Sequence, residues 1–330
     1  MLNPKLYLNP KLFDKDVEQV PTRDGYGDGL VFLGEKNPNV VVLTGDLKES
    51  TRAQKFEEKF PDRFIECGVA EQNMMGIAAG LAVAGKIPFI SSYAVFSPGR
   101  NWDQLRVSVC YNNANVKIAG AHTGVSVGPD GATHQALEDI GITRVLPNLI
   151  VMAPSDYFET KKATLAASQF QGPVYFRFAR EKTPVLTTEK TPFKIGQAEV
   201  FIEGKDVSII ACGPLLYEAL LAAKKLEKKG IRAEVINSHT IKPLDKKTIL
   251  RSVAKTRAVV TVEEHQIDNG LGSAVAEILV ENFPVPMERV GMPDTFGESG
   301  EPKELLEKYG FTAPFIVKKI MNVLKRKKNA

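Results

Sequence analysis

The segment 66–73 (ECGVAEQN) places one acidic side chain, Glu71, at the start of a helix rich in small residues. The first turn of a helix carries partial positive charge, which favours a carboxylate, whereas partial burial disfavours it. Because these effects oppose each other, neighbouring groups can tune the proton affinity of a carboxyl group in this position. The sequence therefore identifies Glu71 as a candidate for proton chemistry.

A second polar segment, 121–134 (AHTGVSVGPDGATH), is rich in glycine and contains His122, Asp130 and His134. Metal binding is one interpretation of these side chains. A soft metal would prefer more histidines or cysteines at compact spacing, however, and the chain contains only four histidines. We therefore predict that these side chains hydrogen-bond directly to a polyhydroxy substrate.

Polar residues also follow the apolar run 40–43, where Asp46 and Ser50 come shortly after the expected strand. Ligands of open α/β sheets bind just beyond the carboxyl ends of the strands. Helix capping by Asp46 and Ser50 is the alternative. Arg23 and Arg180, on the two flanks of the first domain, could hold a terminal phosphate through bidentate contacts.

Aromatic side chains are concentrated at Tyr93, Phe96 and Trp102, beyond another expected strand. Such rings can stack on a planar heterocycle, although packing in a core is their commoner role. The neighbouring Arg100 is interpreted as a structural salt-bridge partner. These residues are candidates for a cofactor-binding surface.

A Gly-Asp-Gly tripeptide at 27–29 has the form that opens magnesium–diphosphate motifs, which follow a strand and include a later asparagine. Here Tyr26, Leu30 and Leu33 recur at helical spacing, and residues 54–58 read QKFEE. We expect a helix at this tripeptide and no metal ligand in this chain.

Helix-like and β-branched runs alternate from Thr22 onwards, which predicts parallel strands covered by helices on both faces. Thr22 is expected to cap the first helix. The predicted helices are 22–34, 53–60, 72–84, 215–229, 244–254 and 272–282. The predicted strands are 40–43, 88–93, 116–121, 150–153, 174–178, 207–211, 233–236, 258–262 and 287–290.

The predicted fold class is α/β, with two successive three-layer α/β/α domains. Two Asn-Pro steps disfavour helix at the start, so residues 1–20 are expected to form an arm that lies on the body or on a partner. A threonine- and proline-rich stretch marks a linker at 185–192. The two domains then span 21–184 and 193–330.

Composition excludes several classes of protein. The net charge is +4, so nothing favours a nucleic-acid partner, and the basic C-terminal run is interpreted as the exposed end of a helix. Three scattered cysteines indicate thiols of a reducing compartment. The sequence shows neither a signal peptide nor a membrane-spanning run, so we expect a cytoplasmic protein.

Two separated motifs, GVAEQNMMG at 68–76 and GPDGATHQ at 128–135, resemble the thiamine-diphosphate enzyme transketolase. The resemblance extends over about residues 20–325, and it implies a pyrimidine-binding domain followed by the C-terminal domain of that family. It also implies that Glu71 contacts N1′ of the cofactor's aminopyrimidine and that Asp130 and His134 act in catalysis. The implied cofactor contacts are Glu71, Phe96, Tyr93 and Asp46. The implied substrate contacts are Arg23, Ser50, His122, Asp130, His134 and Arg180.

The residues that resemble transketolase do not include that family's preceding domain, which binds magnesium and diphosphate. It therefore implies a separate N-terminal partner chain that holds Mg²⁺ or Ca²⁺ with the diphosphate. It further implies an α2β2 assembly, self-association through both domains, and sugar phosphates as substrates in the pentose phosphate pathway. A truncated form of a longer chain would look the same.

The sequence leaves three alternative functions open. Two are related enzymes, the synthase of deoxyxylulose phosphate and the β-subunits of 2-oxoacid dehydrogenases, which share the glutamate and the fold. The third is a non-catalytic assembly or regulatory subunit. The combination of Glu71, His122, Asp130 and His134 argues against the third.

Overall fold

The computed structural model describes residues 2–328, in which helices alternate with strands. The strands form a seven-stranded sheet, a five-stranded sheet and a short antiparallel pair. Both larger sheets are mainly parallel and have helices on both faces. The predicted fold class, two successive layered α/β domains, is confirmed.

The elements of the first domain include every helix and strand predicted for it, with ends shifted by a few residues at most. Its strands are β1 (Gln19–Pro21), β2 (Val40–Thr44), β3 (Phe64–Glu66), β4 (Ile87–Tyr93), β5 (Lys117–Ala121), β6 (Ile150–Met152), β7 (Val174–Phe178) and β8 (Lys182–Pro184). Its helices are α1 (Thr22–Lys36), α2 (Lys48–Thr51), α3 (Gln54–Lys59), α4 (Glu71–Val83), α5 (Trp102–Gln104), α6 (Asp139–Arg144) and α7 (Tyr157–Gln169). A π-helix, Leu105–Tyr111, continues α5.

The second domain likewise contains each element predicted for it. Its strands are β9 (Glu199–Ile202), β10 (Val207–Ala211), β11 (Ala233–Asn237), β12 (Thr240–Lys242), β13 (Val259–Gln266) and β14 (Met287–Met292). Its helices are α8 (Leu216–Glu227), α9 (Lys246–Thr256), α10 (Leu271–Asn282), α11 (Pro302–Lys308) and α12 (Ala313–Lys328).

The seven-stranded sheet has the order β12-β6-β7-β5-β4-β2-β3, and only β12 is antiparallel to its neighbour. Every residue of β2 is buried, with Val40 and Val42 packing on the side of α1 and Val41 and Leu43 on the side of α4. Burial on both faces explains why this strand is a continuous apolar run rather than an alternating one.

The five-stranded sheet has the order β14-β13-β10-β11-β9, with β9 antiparallel at one edge. Strand β12 belongs by sequence to the second domain, yet it pairs with β6 of the first. The two domains are thus connected through a shared sheet as well as through the chain.

Helix α7 was not predicted, and its buried face explains why. Glu159, Thr160, Ala163, Thr164 and Ala167 face the interior, so the helix shows no strong apolar periodicity. The helices α2, α5, α6 and α11 and the short strands β1, β3, β8, β9 and β12 were also missed, and of α12 only the basic C-terminal end was expected to be helical.

The Gly-Asp-Gly tripeptide lies inside α1, as the helical spacing predicts. A Cβ atom at Gly29 would stand 2.9 Å from the side chain of Thr164 on α7, so this glycine allows the two helices to pack closely. Asp28 hydrogen-bonds to Lys55 and to the hydroxyl of Tyr157. The tripeptide is therefore a packing feature.

The expected cap at Thr22 is wrong. The residue before the helix is Pro21, which provides no side-chain cap, and Thr22 is the first helical residue. Its hydroxyl instead donates to the carbonyl of Ala179 and accepts from the Ala179 N–H, which ties α1 to the chain after β7.

The predicted linker lies against the first domain. Leu186 and Thr187 are buried, and their N–H groups both donate to the carboxylate of the buried Asp156. The domain bounds 21–184 and 193–330 stay a prediction. Between the two domains the chain runs through this ordered, hydrogen-bonded segment.

The N-terminal arm lies on the protein body through a repeated Leu-Asn-Pro-Lys-Leu pattern. Asn3 donates to the carbonyl of Val200, and Asn9 donates in the same way to that of Val185. The last leucine of each repeat, Leu6 or Leu12, is buried in the core of the second domain. The repeat is thus a pair of equivalent anchors.

No helix within residues 2–328 has both the length and the apolar character needed to cross a membrane.

Candidate active site

The candidate site residues gather at the carboxyl edge of the seven-stranded sheet. Strands β2, β4, β5 and β7 end at Thr44, Tyr93, Ala121 and Phe178. The segments that follow these strands contain Asp46 and Ser50, Phe96, His122 and Arg180, in that order. Parallel strands bring their carboxyl ends together, so side chains distant in sequence become neighbours.

Glu71 is the first residue of α4, and only 1% of its surface is exposed. Its Oε2 atom accepts a hydrogen bond of 2.7 Å from Arg100, and its backbone carbonyl accepts one from Asn101. Oε1 is buried and has no hydrogen-bond partner in the described part of the chain. A buried acceptor without a donor is costly, so this atom fits an N–H donor brought by a ligand.

Arg100 connects this carboxylate to the aromatic residues. Its guanidinium lies 4.7 Å from the ring centroid of Phe96 while it pairs with Glu71. Solvent reaches this ion pair only from the side of Arg100, because the Arg100 side chain is 48% exposed and the Glu71 side chain is 1% exposed. The sequence indicated Arg100 as a salt-bridge partner but could not show which carboxylate it meets.

Four rings form a continuous cluster next to this pair. Tyr93 stacks on His122 with centroids 3.9 Å apart and lies 6.0 Å from Phe96 in a parallel orientation. His134 meets Tyr93 and Phe96 edge to face, at 5.9 Å and 5.5 Å. The cluster joins the surroundings of Glu71 to the predicted sugar-binding segment.

His122 is buried, and its backbone takes the left-handed conformation at φ 57°. Burial lowers the pKa of its imidazole to about 3, and the positive charges of Arg23 and Arg180 act in the same direction. His122 is thus neutral in the folded protein near pH 7. Its Nδ1 atom has no partner among residues 2–328, so it remains available to a ligand.

Positive charge surrounds this histidine. Arg23 donates to the backbone carbonyl of Ser50, while its buried Nε–H has no acceptor among the residues described. Burial lowers the pKa of Arg23, and the adjacent charge of Arg52 adds to the effect. An unpaired N–H in a desolvated, positively charged position fits an anionic group.

Arg180 and Asp130 meet on the other side of this cluster. Arg180 donates to the carbonyl of Val127 at 2.9 Å, and its Nη1 lies 3.5 Å from the Asp130 carboxylate. His134 pairs through Nδ1 with the hydroxyl of Thr133. We call residues 122–135 the glycine loop, since Gly124, Gly128 and Gly131 all have positive φ angles there.

Asp46 stands apart from the other candidates. It is exposed, its φ is 61°, and its carboxylate makes no hydrogen bond to any residue that the structure describes. Its backbone N–H donates to Glu66, and the same carboxylate oxygen accepts from Gly68 in the segment leading to Glu71. Asp46 is therefore joined to the site through the backbone alone.

Sequence reasoning missed Glu66 and Asn101, which hold the segments around Glu71. Both act through hydrogen bonds that require the fold, so residue type alone gave little signal. Residues 270–273 (GLGS) of the second domain form a glycine-containing turn at the start of α10. The first N–H groups of α10, at Leu271 and Gly272, donate to the buried Glu263, which leaves them no role in holding a phosphate.

The described residues contain no group of three or more histidine, cysteine, aspartate or glutamate side chains placed to hold a metal ion. The arrangement instead offers a buried carboxylate oxygen, flat aromatic faces and a cationic pocket. Such a surface suits a planar heterocycle with an N–H group next to a polyhydroxy anion.

Comparison with known proteins agrees with this chemistry. Residues 18–185 match the family described as transketolase, pyrimidine binding domain, and residues 196–316 match transketolase, C-terminal domain. A putative transketolase C-terminal section from Methanocaldococcus jannaschii is 45% identical over 307 residues, covering 92% of this chain and 96% of the relative.

Two further relatives are similar over nearly their whole length. The 6-deoxy-6-sulfo-D-fructose transketolase subunit SqwH of a Clostridium species is 43% identical over 315 residues, 96% of this chain and 98% of that one. A solved structure described as a split gene transketolase, inactive β4 tetramer, has a TM-score of 0.88 and 47% identity, covering 93% of this chain and 99% of that one. The chain belongs to the transketolase family, of which it contains the pyrimidine-binding and C-terminal domains.

Proposed function

We propose that this chain is the C-terminal subunit of a split transketolase. Together with a separate N-terminal chain, it would transfer a two-carbon ketol unit from a ketose phosphate to an aldose phosphate. The observation that carries the proposal is the unpartnered Oε1 atom of Glu71, which lies in one site with aromatic rings and arginines.

The residues present fit thiamine diphosphate, on which this family depends. The buried Oε1 atom of Glu71 would accept a hydrogen bond from N1′ of the aminopyrimidine, and Phe96 and Tyr93 offer their ring faces. Asp46 would complete the cofactor contacts. When bound, the cofactor supplies the carbon nucleophile that takes up and passes on the two-carbon unit.

Each group of this chain has a separate task in that reaction. Glu71 would share a proton with N1′, and a well-placed general acid or base contributes about 10²- to 10⁴-fold. The ring cluster would cover that side of the bound cofactor. Asp130 and His134 would bind substrate hydroxyls and move protons near the reacting carbon. Arg23, Ser50, His122 and Arg180 would bind the sugar-phosphate end.

The N-terminal partner would provide the Mg²⁺ or Ca²⁺ ion that holds the diphosphate. Two of the relatives are named as a section or a subunit of a transketolase, and the similar split structure is described as an inactive β4 tetramer. These names support a chain that needs a partner. The α2β2 assembly is part of our proposal and is not contained in the names. The pentose phosphate pathway and a cytoplasmic location are parts of the same proposal.

Self-association is supported by the outer face of α4. Gly76 and Gly80 are exposed there, and a Cβ at either position would meet no atom within 4 Å among residues 2–328. Val83 on this helix and Tyr111 at the end of the π-helix are each 84% exposed. Large exposed apolar side chains beside a glycine-lined helix suit close contact with a second subunit.

A donor and acceptor assay tests the reaction class. The chain is reconstituted with its N-terminal partner, thiamine diphosphate and Mg²⁺, and then supplied with either of two substrate pairs. We expect turnover of xylulose 5-phosphate with ribose 5-phosphate. Turnover of pyruvate with glyceraldehyde 3-phosphate instead would favour the deoxyxylulose-phosphate synthase alternative.

Two further arms of the assay refine the result. A sulfonated ketose tests whether the arginines accept another anion, because one relative is named for 6-deoxy-6-sulfo-D-fructose. Cofactor binding by the complex, followed by circular dichroism, tests the non-catalytic alternative, since a scaffold with no chemistry should not bind thiamine diphosphate.

A further inference from the structure

The glycine loop rests on the second domain at three of its glycines. A Cβ at Gly124 would collide with the carboxyl group of Glu264. One at Gly128 would stand 2.9 Å from Pro302, and one at Gly131 would stand 2.5 Å from the hydroxyl of Ser299. The backbone of the loop thus lies directly on the second domain, with no side chain between.

Glu264 makes the strongest of these contacts. Its Oε1 accepts the N–H of Ser126 at 2.7 Å, and its Oε2 accepts the Ser126 hydroxyl at 3.1 Å. Both partners are buried, with exposed fractions of 5% for Glu264 and 8% for Ser126. A two-point contact to one residue fixes both the position and the orientation of the loop backbone.

The first domain also contacts the backbone of Glu264. Its backbone carbonyl accepts two N–H groups of Arg177, each at 3.1 Å. The Nε atom of Arg177 pairs with Asp139 at 2.9 Å, and Asp139 also accepts the hydroxyl of Tyr175. The backbone of the residue that meets the loop is therefore anchored in a buried polar network at the domain boundary.

A second hydrogen-bonded contact lies at the end of the loop. The side-chain amide of Gln135 donates to the carbonyls of Val125 and Gly128 within the loop and to that of Glu298 in the second domain. The loop is therefore held at Ser126 and at Gln135. His122 and His134 stand beside these two anchors, and Asp130 lies between them.

We propose that Glu264 is a positioning residue of the second domain, which holds the glycine loop in the geometry that binds the sugar substrate. The inference rests on the proposed function, because His122, Asp130 and His134 are taken to contact that substrate. It gives the second domain a role in substrate affinity. Glu71, Tyr93 and Phe96 lie outside the loop, and the two aromatic residues meet it at the rings of His122 and His134, so cofactor affinity should change far less than substrate affinity when this contact is lost.

The chain offers a matched control for the test. Glu263 is the preceding residue, is also buried, and also accepts two backbone N–H groups, but these belong to Leu271 and Gly272 of α10. We compare Glu264→Ala with Glu263→Ala in the complex with the N-terminal partner. Glu264→Ala should raise KM for the ketose phosphate by about tenfold or more, since small displacements of binding groups cost rate steeply.

Glu264→Gln tests whether the loop depends on the hydrogen bonds of Glu264 or on its negative charge. In Glu264→Gln, the amide oxygen can accept the Ser126 N–H, and the NH₂ group can donate to the Ser126 hydroxyl. We expect this variant to keep KM within about threefold of the wild-type value, because both links survive. Ser126→Ala, which removes one link and leaves the carboxylate in place, serves if Glu264→Ala fails to fold.

Hydrogen exchange provides a readout that does not depend on activity. Amides of residues 124–131 should exchange faster in Glu264→Ala or Ser126→Ala than in wild type, and Glu263→Ala should leave them unchanged. In all these variants, the affinity of the complex for thiamine diphosphate should change far less than KM does in Glu264→Ala.

Unchanged exchange in the loop, or equal effects of Glu263→Ala and Glu264→Ala on KM, would overturn the proposal. An equal loss of cofactor affinity and substrate affinity would also overturn it, because that would indicate general damage to the fold. A wild-type complex without ketol transfer would contradict the proposed function instead, and loop exchange would then decide whether Glu264 holds the loop.

Discussion

At Glu71, the two carboxylate oxygens have different surroundings. Oε2 is paired with Arg100, whereas Oε1 is buried and unpartnered within the described residues. The sequence predicted the position of this carboxyl group at a helix start, because the small-residue helix and the motif were both visible. It could not predict the pairing with Arg100, since that depends on how the turn before α5 folds back onto α4.

Arg23 is the residue that tests the anion-binding role most cleanly. Removing it in Arg23→Ala should weaken phosphorylated substrates by about 1.5–3 kcal/mol in RT ln(kcat/KM), the usual value for one charge-assisted hydrogen bond. A non-phosphorylated ketose donor should lose much less. Equal losses with both donors would argue against a phosphate contact.

Buried histidines should make stability depend on pH. The pKa of His122 falls to about 3 and that of His239 to about 4, in each case mainly through burial. Unfolding returns both to about 6.5, so below that pH the unfolded chain binds protons that the folded chain does not. These two groups therefore lower the stability as the pH falls from about 6.5 towards 4.

Urea unfolding between pH 7 and 4.5 measures this effect. Buried carboxylates such as Glu263, whose pKa burial raises to about 7, shift the stability in the opposite direction. The comparison is therefore made between wild type and His239→Gln. Over this pH range, the slope of the free energy of unfolding against pH should be less positive in the variant by up to about 1.4 kcal/mol per pH unit, the contribution of one proton. Identical slopes would contradict the lowered pKa of His239, because they would show equal proton binding by this residue in the folded and unfolded states.

At the scale of elements, the predicted helices and strands were those with a clear apolar pattern. Strand β13 shows where the pattern fails. Its apolar run predicted an end at Val262, yet the strand continues to Gln266 through the buried residues Glu263, Glu264 and His265. Charged residues normally mark an exposed end, and here the two glutamates are buried because backbone N–H groups and the Ser126 hydroxyl donate to their carboxylates.

The packing of α1 against α7 depends on glycine. A Cβ at Gly25 would collide with the backbone carbonyl of Tyr157, which cannot move like a side chain. Gly25→Ala should therefore lower the free energy of unfolding by about 1–3 kcal/mol, the usual cost of overpacking. Chemical denaturation measures the change.

Gly80→Ala is the control for this prediction. Gly80 also lies within a helix, but a Cβ there meets no atom within 4 Å in residues 2–328. Alanine should stabilise the helix at this position by about 0.5–1 kcal/mol. Equal losses in the two variants would contradict the packing role of Gly25.

At the scale of the whole molecule, the chain brings the candidate site residues together at the carboxyl edge of its larger sheet. The motifs at 68–76 and 128–135 were enough to predict the family, and the fold confirms the two domains. The sequence did not reveal that β12 joins the sheet of the first domain or that the second domain supports the glycine loop. Both depend on contacts between residues 88 or more positions apart, which leave no local pattern.

The exposed glycines of α4 predict a subunit contact. Gly80→Leu should leave the unfolding of the chain unimpaired, since nothing within residues 2–328 lies near that position. It should reduce self-association, measured by sedimentation at several protein concentrations. Ala254→Leu places the same side chain at an exposed position of α9 and is the control. Unchanged association in Gly80→Leu would exclude this face as the contact.

We propose above all that Glu71 of this chain acts on a cofactor that is bound jointly with a partner chain. The most direct test is the rate of ketol transfer by the complex reconstituted from Glu71→Ala and the N-terminal chain, compared with wild type. We predict a fall of at least about 10²-fold with the fold intact by circular dichroism, as for loss of a general acid or base. A rate close to that of wild type would contradict this role of Glu71.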